Sequence, residues 1–351
     1  MPLSVEQKQA ISRAIKSIKN DEPVLRIGGL AGTGKTLCLA KIRESYSKFA
    51  VGAYTGKAAS VLRRRGIHDA STIHRLIYTP VEIDGKIRFT LKSRNEIAQK
   101  YDGFLIDEGS MVSEFIYSHL LSFGLPIIFF GDHGQLEPVG STFNLMAEPD
   151  IRLEKIHRNA GEIAHFAEWL RMGNDPKKFP CKERVSVVPK RLLTPDHYVG
   201  TDQVICAYNK TRCRINRTVR ERLGYTAELE PGERVICLRN NSTIGVYNGL
   251  QGVAQSVNLD GTRTFRFATD DEQFFVRYDP NQFGKESGTV ECDLEICLFD
   301  YAYAITAHKS QGDEFNNVIV VEEICENWDH KRWAYTAASR AKTNIIWATQ
   351  W

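Results

Sequence analysis

One eight-residue stretch limits this chain more than any other. GLAGTGKT, residues 29–36, fits the pattern G-x-x-x-x-G-K-[ST]. It follows an apolar run, VLRIGG, and opens an apolar-periodic segment through Leu37, Leu39 and Ala40. In that strand, turn and helix setting, glycines let backbone N–H groups approach an anion, and the helix N-terminus favours negative charge. Gly32, Thr33, Gly34, Lys35 and Thr36 are therefore candidate ligands of a nucleoside triphosphate such as ATP, Lys35 at its β- and γ-phosphates and Thr36 through its hydroxyl on Mg²⁺.

Such a loop belongs to a parallel sheet, and the first half supplies one. FAVGAYT (49–55), GFLID (103–107) and PIIFFGD (126–132) are continuous apolar runs, as strands buried on both faces require. The fold class is α/β, a doubly wound parallel sheet. GFLID delivers Asp107 and Glu108 to the sheet's carboxyl edge, where Asp107 suits Mg²⁺ and Glu108 suits polarising an attacking water. An Asp-Glu pair alone more often caps a helix; its place after a buried strand in a P-loop chain favours chemistry. PIIFFGD leads into GDHGQLEPVG (131–140), where the amide of Gln135 can sense the γ-phosphate or the lytic water. Arg158, just past this lobe, and Arg340, on a helix over 331–342, are candidates for neutralising a transferring phosphoryl group, with a solvated surface arginine as the alternative.

VICAYN (204–209), ICLFDYAYAIT (296–306), NVIVVEE (317–323) and NIIWATQ (344–350) repeat the pattern as a second α/β lobe. Two inserts interrupt the two lobes. In TPVEIDGKIRFTL (79–91) a three-residue loop, Ile83-Asp84-Gly85, makes a hairpin that puts Val81 opposite Ile87 and Thr79 opposite Phe89; a two-residue Asp-Gly loop would send Val81 and Phe89 to opposite faces. From about 227 to 279, four or five short strands with Gly, Asn and Asp turns predict a small β-barrel. Boundaries follow: 1–150 for the first lobe with the hairpin insert at 78–98, 151–226 and 293–351 for the second, 227–292 for the barrel. The helix from Thr211 carries Arg212, Arg214, Arg217, Arg220 and Arg222 opposite a buried stripe of Ile215, Val219 and Leu223. Those arginines read as a solvated face, with a strand-lining role the alternative, and Arg63, Arg64 and Arg65 read the same way.

The 351 residues are 25% charged and 42% hydrophobic, enough length for two or more cores. With 46 Lys and Arg against 43 Asp and Glu, a net charge of +3 makes no case for nucleic acid by itself. The longest apolar runs, 125–130 and 318–321, fall far short of the roughly 18 to 20 residues a bilayer span needs. MPLSVEQKQ has no basic run followed by an apolar one. A soluble, cytoplasmic protein with no membrane contact is expected. Eight cysteines without a C-x-x-C pair read as reduced, mostly buried thiols.

Taken in order, GLAGTGKT, DEGSMV (107–112), GDHGQLEPVG, the arginine after LEKIH, TAHKSQGDEF (306–315) and YTAASRA (335–341) resemble the motifs of superfamily 1 helicases across nearly the whole chain. HKSQG, NGLQG (248–252) and the inserted barrel are similar to the RecD-like and bacteriophage Dda-like branch, which moves 5′ to 3′ on single-stranded DNA. The resemblance implies two tandem RecA-like lobes with an SH3-like barrel, ATP and Mg²⁺ at their cleft, and a strand lying across both. It implies that Gln7 in LSVEQ (3–7) reads adenine, the other possibility being a capping Ser4 with an exposed Gln7. It further implies that Thr55, Lys57, Thr72, His74, Thr306, His308 and Lys309 hold the DNA backbone. Gln311, Gly312 and Glu314 would border the nucleotide, Glu314 at the ribose. The hairpin through Val81, Ile83, Ile87 and Phe89 would be the wedge at a DNA fork, or else a cover for a sheet edge. A monomer acting on single strands and forks, with replication or recombination proteins as partners, is the expectation. An RNA-directed helicase, a translocase that strips proteins without unwinding, and a nucleotide-switched clamp without turnover are the alternatives.

Overall fold

The computed structural model describes residues 3–83, 86–136, 143–155, 161–241, 244–258, 260–269, 272–287, 296–324 and 329–350. The chain divides into two compact units, Met1–Gly161 and Glu162–Trp351.

The first unit runs α1 (Val5–Lys19), β1 (Val24–Gly29), α2 (Lys35–Ser45), β2 (Phe49–Ala53), α3 (Gly56–Arg64), β3 (Ser71–Thr72), α4 (Ile73–Ile77), β4 (Tyr78–Ile83), β5 (Lys86–Leu91), α5 (Arg94–Lys100), β6 (Gly103–Asp107), α6 (Glu114–Ser122), β7 (Ile127–Gly131) and β8 (Ile151–Leu153). Six strands form one sheet in the order β3-β2-β6-β7-β1-β8, every described pairing parallel. Its strands are continuously apolar because successive residues enter different cores. Leu105, Ile128 and Phe130 pack with α1 and α2 residues such as Ala10, Leu39 and Ile42. Ile106, Ile127 and Phe129 pack on the other face against Ile73, Ile116 and Leu120. Each such side chain contributes about 1.5–3 kcal/mol on burial. The first unit passes the expected boundary at 150, because β8 pairs with β1 through Ile27 and Ile151 and completes this sheet.

β4 and β5 pair only with each other. Val81 stands opposite Arg88, Pro80 opposite Phe89, and Ile83 opposite Lys86. The register expected from a three-residue loop is therefore wrong: two residues, Asp84 and Gly85, separate the strands, and they lie outside the described residues. Asp-Gly is a composition that favours two-residue loops, whose twist suits the flanking strands. Val81 and Phe89 consequently stand on opposite faces.

The second unit runs α7 (Glu162–Arg171), β9 (Val185–Pro189), α8 (Pro195–Val199), β10 (Gln203–Cys206), α9 (Asn209–Leu223), β11 (Arg234–Cys237), β12 (Gln251–Asn258), β13 (Thr264–Ala268), β14 (Gln273–Tyr278), β15 (Ile296–Cys297), β16 (Phe299–Tyr301), β17 (Ala304–Thr306), β18 (Phe315–Val321), α10 (His330–Ala338) and β19 (Ala341–Thr349). A parallel sheet has the order β17-β10-β18-β19-β9. Phe166 of α7 and Trp333 of α10 meet Trp347 of β19 at ring distances of 5.6 and 5.9 Å. The other sheet, β15-β14-β13-β12-β11-β16, curls into a nearly closed barrel, since its two edge strands are separated by one residue of chain. Phe299 fills it, 5.0 and 4.9 Å from Phe265 and Phe267. Among the described cysteines all are free, and Cys181 is exposed while Cys38, Cys206, Cys213, Cys237 and Cys297 are buried. No helix among the described residues is long and apolar enough to cross a membrane.

Two expectations fail here for identifiable reasons. The run 296–306 is three strands, of which the first two close the barrel and only β17 belongs to the lobe, so the barrel reaches past 292. Both destinations are buried, and an apolar run does not distinguish them. On α9, Leu223 is 43% exposed, while Arg212 and Arg220 turn inward. A four-residue repeat drifts roughly 40° per step on a 3.6-residue helix, so the third member leaves the buried stripe. Asp300 and Glu233 are fully buried carboxylates that require cations. Arg212 bonds Asp300, which also accepts the N–H groups of Gly284 and Tyr301 at 2.8 Å, and Arg220 Nε donates to Glu233 at 2.6 Å.

Arg212→Ala would leave Asp300 buried without its cation. A loss of about 3–5 kcal/mol in urea unfolding is expected, against less than about 0.5 kcal/mol for Ala at exposed Arg217.

Candidate active site

β1 releases the chain into the turn 30–34, and α2 begins at Lys35 with Gly34 as its N-cap. Gly34 has φ +88°, and a Cβ there would lie 2.3 Å from Gln7 Nε2, so both backbone and space require glycine. Lys35 Nζ donates to the carbonyls of Gly29 and Leu30 at 2.6 and 3.0 Å, and Thr33 Oγ1 donates to Leu30 at 2.9 Å. First-turn N–H groups of a helix have no intrahelical acceptor. Beside the Lys35 ammonium and Thr36 hydroxyl, they form the cationic cradle that phosphate oxygens fit.

At the N-terminus the expected Ser4 cap is present, but Gln7 is not exposed. Ser4 caps α1, accepting the N–H of Gln7 at 3.2 Å, and Gln7 Oε1 accepts the N–H of Ser4 at 3.0 Å. Gln7 is nevertheless buried, and its Nε2 donates to the carbonyl of Thr33 at 3.0 Å. The side chain that caps the helix also props the loop.

β6 ends at Asp107, whose Oδ1 accepts the N–H of Glu108 at 3.0 Å. Burial pushes the Asp107 carboxyl above its usual range, while that N–H and the nearby Lys35 charge pull it down. Glu108 occupies the left-handed region, φ 55° and ψ 41°, and is not a glycine. That conformation costs roughly 1–3 kcal/mol and redirects the side chain as the strand ends. After β7, buried Asp132 accepts the N–H of Gly134 at 2.9 Å and the Nε2 of Gln135 at 3.2 Å. Because β6, β7 and β1 are adjacent and parallel, Asp107, Glu108, Gln135 and Lys35 share one edge of one sheet. Asp132, which orients Gln135, does not stand out in the sequence; its one signal there is an acid three residues ahead of that glutamine.

β2 and β3 continue the same edge. Thr55 caps α3, its Oγ1 accepting the N–H of Ala58 at 3.1 Å, and Lys57 lies in that first turn. Thr72 caps α4, accepting the N–H of Arg75 at 3.3 Å. The ring of His74 lies 5.5 Å from Tyr78 and 6.5 Å from Tyr54, and burial pushes its pKa down. Burial thus favours the neutral, hydrogen-bonding ring over the cation. Val81 is 39% and Phe89 53% exposed on the hairpin; the side chains of Ile83 and Ile87 lie outside the described set. Arg158 also lies outside the described residues.

In the second unit, Thr306 ends β17, and the turn after it carries His308 and Lys309. Burial pushes both pKa values down. Lys309 Nζ donates to Asn248 Oδ1 of the barrel loop. Gly312 has φ +81° and buried Gln311 precedes it. Glu314 is exposed and pairs with Lys342 at 3.3 Å. Arg340 is not helical: α10 stops at Ala338, and Arg340 lies in the turn before β19. It is buried, donating to the carbonyls of Thr336 at 3.0 Å and Asp313 at 3.2 Å and to Ser339 Oγ at 2.9 Å. The Asp313 carboxylate in turn accepts Gln251 Nε2 of β12 at 2.8 Å. Asp313 is a second residue that the sequence does not mark. Among the described residues no cluster of three or more His, Cys, Asp or Glu could hold a metal ion.

A phosphate loop, two carboxylates and a glutamine at one edge of a parallel sheet, followed by a second parallel sheet with its own barrel, define the tandem-lobe P-loop NTPases. A family model described as the AAA domain matches residues 2–189, and one described as a UvrD-like helicase C-terminal domain matches 301–346. The chain belongs to this AAA-domain family, and it is similar to superfamily 1 helicases of the RecD and Dda type. It is 27% identical to the ATP-dependent RecD2 DNA helicase of Deinococcus radiodurans over 92% of its own length and 46% of that protein. It is 32% identical to the ATP-dependent DNA helicase dda of Enterobacteria phage T4 over 39% of this chain and 33% of that one. It thus spans under half the length of these curated relatives. The solved Pif1 helicase from Bacteroides in complex with ADP-AlF3 and ssDNA shares the fold, with a TM-score of 0.64 and 21% identity over 99% of this chain and 93% of that one.

Two substitutions at Glu108 separate chemistry from backbone strain. Glu108→Gln should lower ATP turnover by at least roughly a hundredfold without changing unfolding. Glu108→Gly should lower turnover as much yet raise the unfolding free energy by roughly 1 kcal/mol, since glycine adopts this conformation freely.

Proposed function

We propose that the chain is an ATP-driven motor on single-stranded DNA that moves 5′ to 3′ and parts duplex DNA, with ATP as substrate and Mg²⁺ as cofactor. The single observation that carries this reading is the convergence of Lys35, Asp107, Glu108 and Gln135 at the carboxyl ends of three adjacent parallel strands. The relatives named above, described as ATP-dependent DNA helicases, support it. So does a structural neighbour bound to ssDNA.

In this reading Lys35 and the loop N–H groups bind the β- and γ-phosphates. Thr36 and Asp107 are hard oxygen ligands suited to Mg²⁺, which would neutralise phosphate charge. Glu108 takes the proton of the attacking water, and Gln135, held by Asp132, orients that water. Arg340 and Arg158 neutralise charge on the transferring phosphoryl group; to do so, Arg340 exchanges hydrogen bonds it now makes within its own unit. Gln7 sets the loop and reads adenine, and Gln311, Gly312 and Glu314 border the nucleotide. Thr55, Lys57, Thr72, His74, Thr306, His308 and Lys309 hold the strand through its backbone, so binding does not read sequence. The hairpin carrying Val81 and Phe89 is the wedge, with these two exposed side chains on opposite faces.

Lys35→Ala should lower ATP turnover by at least roughly a hundredfold while strand binding stays measurable by fluorescence anisotropy. Duplexes with a 5′ or a 3′ single-stranded tail test activity and polarity together. Unwinding of the 5′-tailed substrate is expected; preference for the 3′ tail would overturn the direction, and turnover indifferent to added strand would overturn the motor. Stronger stimulation by RNA would favour an RNA-directed enzyme.

Phe89→Ala should leave strand-stimulated turnover intact and slow unwinding of the tailed duplex in a stopped-flow assay. Equal loss of both rates would assign the hairpin a structural role.

A further inference from the structure

The second unit holds a cavity of about 520 Å³ that none of the motif residues line. Its lining includes Lys190, Arg191, Arg214 and Tyr198, with Ile215 and Thr218 of α9. No lining residue is acidic, and among the described residues none of the three cations has a carboxylate in ion-pair range. Elsewhere on α9 the inward arginines and Arg222 are paired, with Asp300, Glu233 and Asp196. Three uncompensated cations around one concavity, with an aromatic ring and Ile215 in the same lining, suit a phosphodiester with its base. The volume lies within the range of small-ligand sites.

Its place in the sheet gives the cavity a direction. Lys190 and Arg191 directly follow β9, and Gln350, also in the lining, directly follows β19. Thr306 ends β17, and all five strands are parallel. Lys190, Arg191 and Gln350 of the cavity therefore share the carboxyl edge of one sheet with the turn carrying His308 and Lys309. At about 4.8 Å per strand, three to four strands apart means roughly 14–19 Å, the reach of a few nucleotides.

We propose that this cavity is a second contact for the phosphodiester backbone of single-stranded nucleic acid, engaged by the part of the strand that extends beyond Thr306, His308 and Lys309. The proposal rests on the reading of the chain as a motor on single strands. It adds a contact that governs affinity and the length of strand covered, without base readout.

The test uses the full chain and oligothymidylates of increasing length, titrated at several salt concentrations. The triple variant Lys190→Ala, Arg191→Ala, Arg214→Ala should match wild type on the shortest strands that bind and fall behind as length increases. On long strands its slope of log affinity against log salt should be shallower by about 2, at about 0.7 for each phosphate no longer neutralised. Tyr198→Leu, which keeps an apolar side chain at the wall, should weaken long-strand binding with the slope unchanged. A control with Ala at exposed Lys177, Lys178 and Lys182 removes the same charge from the same unit and should show neither effect. An unchanged slope in the triple variant, an equal loss at every length, or an equal effect in the control would overturn the second contact while the motor reading stands. Absence of strand binding by wild type would overturn both.

Discussion

A buried parallel strand must surrender its backbone to water at its carboxyl end, and most of the chemistry of this chain follows from that constraint. Inside the sheet every N–H and C=O is paired; at the edge the chain turns, and polar groups become available. The phosphate loop after β1, the carboxylates at the end of β6, the Asp132–Gln135 pair after β7 and the caps Thr55 and Thr72 at the ends of β2 and β3 are all products of this one edge. Strand order, more than any single contact, decides which side chains meet. With β7 between β6 and β1, the residues beyond β7 flank both the loop and the carboxylates.

Local strain accompanies this arrangement. Gly34 and Glu108 both have positive φ, but for opposite reasons. At Gly34 the backbone must turn into a helix while Gln7 closes the space where a Cβ would stand, and glycine meets both demands. At Glu108 a carboxylate is needed at the turn itself, so the left-handed cost is borne by the packing of β6, where Phe104, Leu105 and Ile106 are fully buried.

What can be read in the sequence follows the range of the interactions involved. The loop, both parallel sheets and the barrel are legible because apolar runs, glycine turns and periodicity are local signals. Lys35, Glu108 and Gln135 are legible as candidates because each stands a few residues after a strand. Long-range compensation is not. Arg212 and Arg220 look like neighbours of Arg214 and Arg217 until Asp300, 88 residues on, and Glu233, 13 residues on, are seen buried against them. The run 296–306 gives no sign of where it leaves the barrel for the lobe, since both interiors accept the same residues. The hairpin fails on a smaller scale: moving one residue from loop to strand reverses the relation of Val81 to Phe89.

The barrel is not a detached ornament on its lobe. Its loop residue Asn248 takes the ammonium of Lys309, and Gln251 at the start of β12 donates to the carboxylate of Asp313. The carbonyl of that same Asp313 accepts Arg340, whose own carbonyl accepts the N–H of Phe315. Asp313 is buried and follows a glycine at φ +81°, so its peptide has little freedom to satisfy one partner at the expense of the other. Asp313 thus joins the barrel, the turn after β17 and Arg340 through its two ends. A side chain held in this way is tied to the turn bearing His308 and Lys309 within a single unit.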